Sequence, residues 1–118
     1  PYIMCKYSAG KEQIRVYPES ILYIAIRYGG SEVFACGKLK KQFPNETLRT
    51  GMSLNAVYET LNESCGFVRA HNSYIINMAY IVGMDVQSVK LSDGTMLTIA
   101  RSRSKEFQNA FMAAKYKR

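Results

Sequence analysis

Almost every apolar run in this chain is short and ends in a turn. Tyr2–Tyr7, Gln13–Tyr17, Ile21–Tyr28 and Ser31–Cys36 are rich in β-branched and aromatic residues. Between them lie Ser8-Ala9-Gly10-Lys11-Glu12, Pro18-Glu19-Ser20 and Gly29-Gly30, which have turn chemistry. The pattern resumes with Thr47–Met52, Phe67–Ala70, Tyr74–Ile76, Tyr80–Val86, Ser88–Leu91 and Thr95–Ala100, the last pair joined by Ser92-Asp93-Gly94. Runs of this kind between turn residues are strands, and tight turns make their pairing antiparallel.

Helical periodicity occurs only twice. Ser53 is a good N-cap for Leu54, Val57, Tyr58 and Leu61, which recur at i, i+3, i+4 and i+7. A second helix is predicted from Ser102 or Ser104, with Phe107, Ala110, Phe111 and Ala114 on its buried face. Its end carries Lys115, Lys117 and Arg118, which complement the helix dipole. Gly37–Glu46 is polar, basic and contains Pro44, so it reads as a long connection. The expectation is a single mainly β domain, mostly antiparallel, with two short helices, and 118 residues suffice for one modest core.

Composition narrows the chemistry. One His excludes a zinc site built from two or three histidines. Cys5, Cys36 and Cys65 are odd in number, scattered and without a C-x-x-C pair, which fits reduced thiols in a cytoplasmic protein. No phosphate-binding glycine loop, nucleophile elbow, signal peptide or stretch of 18 to 20 apolar residues is present. The expectation is a soluble, intracellular protein with no metal, no cofactor and no membrane span. The net charge is +7, and it is concentrated: residues 38–49 carry +3 and residues 101–118 carry +5. Such clustering points to an anionic partner, nucleic acid before a membrane surface. A solvated basic tail is the bland alternative.

Three polar places interrupt the apolar pattern: Arg27-Tyr28-Gly29-Gly30-Ser31, Arg69-Ala70-His71-Asn72-Ser73 and Ala100-Arg101-Ser102-Arg103-Ser104-Lys105. Asn pairs in bidentate fashion with adenine and Arg with guanine. Ser hydroxyls and free N–H groups at a helix start suit phosphate oxygens. Each place also has a structural reading. His71 can tie down a turn, Asn72 can cap one, Asn77 can bond local backbone, Arg69 can pair with Glu59 or Glu63, and Arg101 can be an ordinary surface residue. Cys65 or Ser73 with His71 as base would make a hydrolase, but no orienting third group or oxyanion motif accompanies them.

The run Phe67-Val68-Arg69-Ala70-His71-Asn72-Ser73-Tyr74-Ile75-Ile76-Asn77, followed by Tyr80-Ile81, resembles the signature of the LytTR DNA-binding domain. Ile21-Leu22-Tyr23-Ile24, Ser53-Leu54, Leu91-Ser92-Asp93-Gly94 and Ile99-Ala100-Arg101 are similar to the family pattern in the same order. The resemblance implies an elongated fold of about ten short, mostly antiparallel strands with small helices. It also implies a bacterial response regulator that binds duplex DNA through loops in successive major grooves. By position, Asn72 and Arg101 are then base-contacting residues and His71 supports the loop. Arg69, Ser73, Ser102, Arg103, Ser104 and Lys105 join them in binding or support. His-Asn-Ser in place of His-Arg-Ser resembles the accessory-gene-regulator, quorum-sensing branch. Where that branch has a DNA-contacting His near the first hairpin turn, this chain has Ser31, with Arg27 and Tyr28 beside it. The resemblance further implies an N-terminal receiver domain, direct-repeat half-sites and a second copy on the DNA. The alternative is a basic protein-interaction module that docks an acidic partner.

Overall fold

The computed structural model describes residues 1–8, 10 and 12–116. Ala9 and Lys11 of the first turn lie outside the described residues, as do Lys117, Arg118 and the side chains of Lys115 and Tyr116. Ten strands form two antiparallel sheets. The chain opens with β1 (Ile3–Tyr7) and β2 (Gln13–Val16), then β3 (Ile21–Arg27) and β4 (Gly30–Ala35). After α1 (Gly37–Gln42) and β5 (Leu48–Thr50) comes α2 (Leu54–Thr60). A central hairpin of β6 (Phe67–His71) and β7 (Tyr74–Asn77) leads to β8 (Ile81–Met84), β9 (Ser88–Leu91) and β10 (Met96–Thr98). A 3-10 turn at Arg101–Arg103 then runs into α3 (Ser104–Tyr116). The larger sheet has seven strands in the order β2-β1-β5-β4-β3-β7-β6, and the smaller is β10-β9-β8. The molecule is elongated, 40 × 26 × 23 Å.

The larger sheet separates two cores. On one face Leu54 and Val57 of α2, with Leu61 just past its end, pack with Ile3, Cys5, Ile24, Phe67 and Ile75. On the other, Phe107 and Ala110 of α3 and Val89 and Leu91 of the small sheet cover Leu22, Val68, Ala70 and Ile76. The two-residue alternation of β6 and β7 therefore feeds both cores from one hairpin. Burial pushes the Cys5 thiol up to about 12, so it remains protonated as a small core side chain.

The cap at Ser53 forms as the sequence indicates, with Ser53 Oγ accepting from the Ala56 N–H at 3.1 Å. The basic connection differs. Gly37–Gln42 is a third helix, α1. Its i,i+4 pair, Leu39 and Phe43, packs against the first core, and the Phe43 ring lies 3.9 Å from the Tyr7 ring. Two apolar residues are too few to give a periodic signal, so tertiary contact decides this helix.

Asn77 is buried and bonds backbone at both of its ends. Its Nδ2 donates to Pro18 O at 3.0 Å and Ile21 O at 2.9 Å, and its Oδ1 accepts from the Ala79 N–H at 3.0 Å. It thus fastens the end of β7 to the start of β3. Asn77→Ala leaves these buried groups unpaired and should lower stability by about 1–3 kcal/mol, with the denaturant slope unchanged. An unchanged urea midpoint would contradict this role.

Candidate nucleic-acid interface

The β6–β7 turn is built around backbone and side-chain bonds that fix its shape. His71 Nδ1 accepts the Ser73 N–H at 3.0 Å, and the His71 ring stacks on Tyr74 at 4.8 Å. The Tyr74 hydroxyl in turn donates to Thr98 O. The strand pairing shifts register between Arg69 and His71, which re-aims the residues of the turn. His71 is therefore a supporting residue of the turn. Its Nδ1 is engaged by the backbone N–H of Ser73.

Arg69 does not pair with Glu59 or Glu63. One guanidinium nitrogen donates to Asn55 Oδ1 on α2, and another donates to Asn72 O at 3.0 Å. Arg69 thus clamps the turn to the helix. Burial, and then the charge of Arg103, lower its pKa. Asn55 has no linear signal, because its partner lies 14 residues away on another element.

The structure brings the three polar places to one region. Ile26 N donates to Ser73 O at 2.8 Å, which ties the β3–β4 hairpin to the β6–β7 turn. Ala100 N donates to Ala70 O at 2.8 Å, which ties the segment after β10 to the other side of the same hairpin. Arg103 Nε then donates to Asn72 Oδ1 at 3.2 Å, and Arg103 faces Glu106 at 3.6 Å. Asn72, Arg101, Ser102 and Lys105 are exposed, whereas Ser73 and Ser104 are half-buried. Arg101 makes no side-chain bond among the described residues. Ser104 opens α3, so the first N–H groups of that helix lie beside Arg101 and Arg103.

In the β3–β4 turn, Arg27 and Tyr28 are exposed and Ser31 is buried. Tyr28 projects freely, at 103% relative exposure. Arg27 is exposed and pairs with Glu32 at 2.9 Å. Ser31 is a correction. It is only 1% exposed and its hydroxyl donates to Met52 O at 2.8 Å, so it fastens β4 to the β5–α2 turn and presents nothing to a ligand. Side chains of β4 alternate, and Ser31 falls on the inward phase with Val33.

A family model for the LytTr DNA-binding domain matches residues 11–112. The chain belongs to the LytTR family of DNA-binding domains. Among solved structures, this LytTR domain is similar to the LytTr DNA-binding domain of a putative methyl-accepting/DNA response regulator from Bacillus cereus. That likeness has a TM-score of 0.71 at 19% identity and covers 92% of this chain and 94% of the other. It concerns the fold. No protein of curated function matches the chain. No helix of this LytTR domain is long and apolar enough to cross a membrane, and no group of three potential metal ligands gathers among the described residues.

Arg69→Met keeps the length of the side chain but removes both bonds of the clamp. Exchange of the Asn72 and Ser73 amides should then accelerate about tenfold, while Ile75 and Ile76 keep their protection. Unchanged exchange at the turn would show that Arg69 does not hold it.

Proposed function

We propose that this LytTR domain is the effector of a transcriptional response regulator and reads duplex DNA in a sequence-specific way. Its turns would enter successive major grooves, with no recognition helix. The observation that carries this reading is the joining of the three polar segments through Ile26 N–Ser73 O and Ala100 N–Ala70 O. Those bonds fasten the β3–β4 hairpin and the Arg101 segment to the hairpin whose turn carries Asn72. Asn72 offers an amide for adenine and Arg101 an unpaired fork for guanine.

The surrounding groups suit phosphate. Burial first and the neighbouring Arg103 charge second lower the Arg69 pKa, and Glu106 is the nearby acid. A phosphate would relieve that like-charge contact. Ser102, Lys105 and the opening N–H groups of α3 would add donors next to Arg103 in the chain. Arg27 and Tyr28 extend the surface along the β3–β4 turn. In the full regulator, an N-terminal receiver domain would control this effector, and two copies would occupy direct-repeat half-sites.

The test uses a duplex selected from a random pool and a scrambled duplex of equal length. Asn72→Ala and Arg101→Ala should each weaken the selected duplex by about 1–3 kcal/mol and leave the scrambled one nearly unchanged. Lys105→Ala should weaken both alike and reduce the salt slope by about 1. Equal losses on both duplexes for Asn72→Ala and Arg101→Ala would overturn base reading by these residues. An unmutated chain indifferent to DNA at low salt would favour docking to an acidic protein.

A further inference from the structure

The second core covers only part of the large sheet. Its members on that sheet come from β3, β6 and β7 and from Cys36 beyond β4, so the same face over β1 and β5 stays open. Met4, Lys6 and Arg49 are exposed there. The register sets Glu32 opposite Arg49 and Arg49 opposite Lys6 across three adjacent strands. Directly opposed side chains sit about 5 Å apart at Cβ. Glu32 is already bonded to Arg27, so its carboxylate does not neutralise the other two cations alone.

Beside this row two turns bring glycine backbone together. Gly30 has φ +153°, and a Cβ there would meet Thr50 O at 2.1 Å. Only glycine allows the β3–β4 turn to approach the β5–α2 turn this closely. Next to Gly30 lies Gly51, and the pair floors a cleft of about 720 Å³. Its walls include Tyr2, Met4, Lys6, Arg27, Tyr28 and Arg49, and its lining holds three cations and no carboxylate.

The position of the cleft matters as much as its charge. Arg27 and Tyr28 are at once its wall and the β3–β4 turn of the proposed DNA surface. From β7 to β1 the sheet order crosses β3, β4 and β5. Four strand spacings are about 19 Å. B-form DNA advances about 3.4 Å per base pair, so this span corresponds to about six base pairs. A duplex lying on the Asn72 turn and running away from Arg101 meets the cleft about half a helical turn later.

We infer that the Lys6–Arg27–Arg49 cleft is a second DNA contact, which seats the sugar–phosphate backbone flanking the read bases. This inference rests on the DNA-reading function proposed above. It adds Lys6 and Arg49, which lie outside both basic stretches most evident in the sequence or at the margin of one. The small floor lets a phosphate approach the backbone, and the cations supply charge without a nearby free acid. The contact is independent of base sequence, so it lengthens the footprint and raises affinity without changing the preferred site.

The experiment compares the intact chain, Lys6→Ala/Arg49→Ala and the charge control Lys90→Ala on three duplexes. One carries the selected site with long flanks, one is cut back on the cleft side and one on the Arg101 side. Lys90 is exposed on β9, away from the cleft. On the long duplex and the duplex cut on the Arg101 side, the double variant should bind about tenfold more weakly and lose about 2 from the salt slope. On the duplex cut on the cleft side, it should bind as the intact chain does. An equal loss on all three duplexes, or a loss no greater than that of Lys90→Ala, would overturn the cleft. So would a loss accompanied by tight binding of inorganic triphosphate, which would assign the cleft to a free polyphosphate. Failure of the base-reading proposal shows elsewhere, in equal effects of Asn72→Ala on selected and scrambled DNA. Circular dichroism confirms that the exposed substitutions leave the fold intact.

Discussion

The β6–β7 hairpin is buried from both sides, and the rest of the domain is arranged around it. Phe67 and Ile75 belong to the core under α2, whereas Val68, Ala70 and Ile76 belong to the core under α3 and the small sheet. Each fully buried side chain of this size contributes about 1.5–3 kcal/mol. The hairpin cannot shift by one residue without exchanging its two sets of side chains between the cores. Its register is therefore fixed, and so is the place of its turn. Asn77 closes the other end of the hairpin on Pro18 and Ile21.

This constraint would let a turn serve as the reading element proposed above. Loops are ordinarily mobile, and ordering one on binding costs affinity. Here the turn is short, its His71 and Ser73 are joined, and Arg69 of β6 bonds both the Asn72 carbonyl and Asn55 of α2. The neighbouring segments are attached to the same hairpin by one backbone bond on each side. A rigid hairpin end can thus present donors from three distant parts of the chain. Arg103 also bonds Asn72 Oδ1 in the free protein, so the amide is oriented before any ligand arrives.

Much of this was legible from residue order. Strands, turns and the Ser53 cap follow from local chemistry and two-residue or 3.6-residue periods, which a single sequence displays directly. The run from Phe67 to Asn77 marks the hairpin and its turn together. The inaccessible features are those that depend on contacts between distant residues. α1 rests on one apolar pair that meets Tyr7, and nothing in Gly37–Glu46 records that meeting. Ser31 looks like an ordinary turn serine until Met52, 21 residues on, accepts its hydroxyl. Arg69 suggests an acidic partner, yet its partners are Asn55 and a backbone carbonyl. Lys6 and Arg49 become neighbours only through the β1–β5 register. Their charge is visible in the composition, but their joint position is not.

The DNA surface proposed above is the end of the doubly buried hairpin with the segments tied to it. Titration of isotopically labelled protein with the selected duplex, followed by amide chemical shifts, tests it most directly. The largest shifts are expected at residues 27–29, 71–73 and 100–105, with residues 82–84 of β8 unaffected. Large shifts on the small sheet or the outer face of α3, with the 71–73 turn silent, would contradict it.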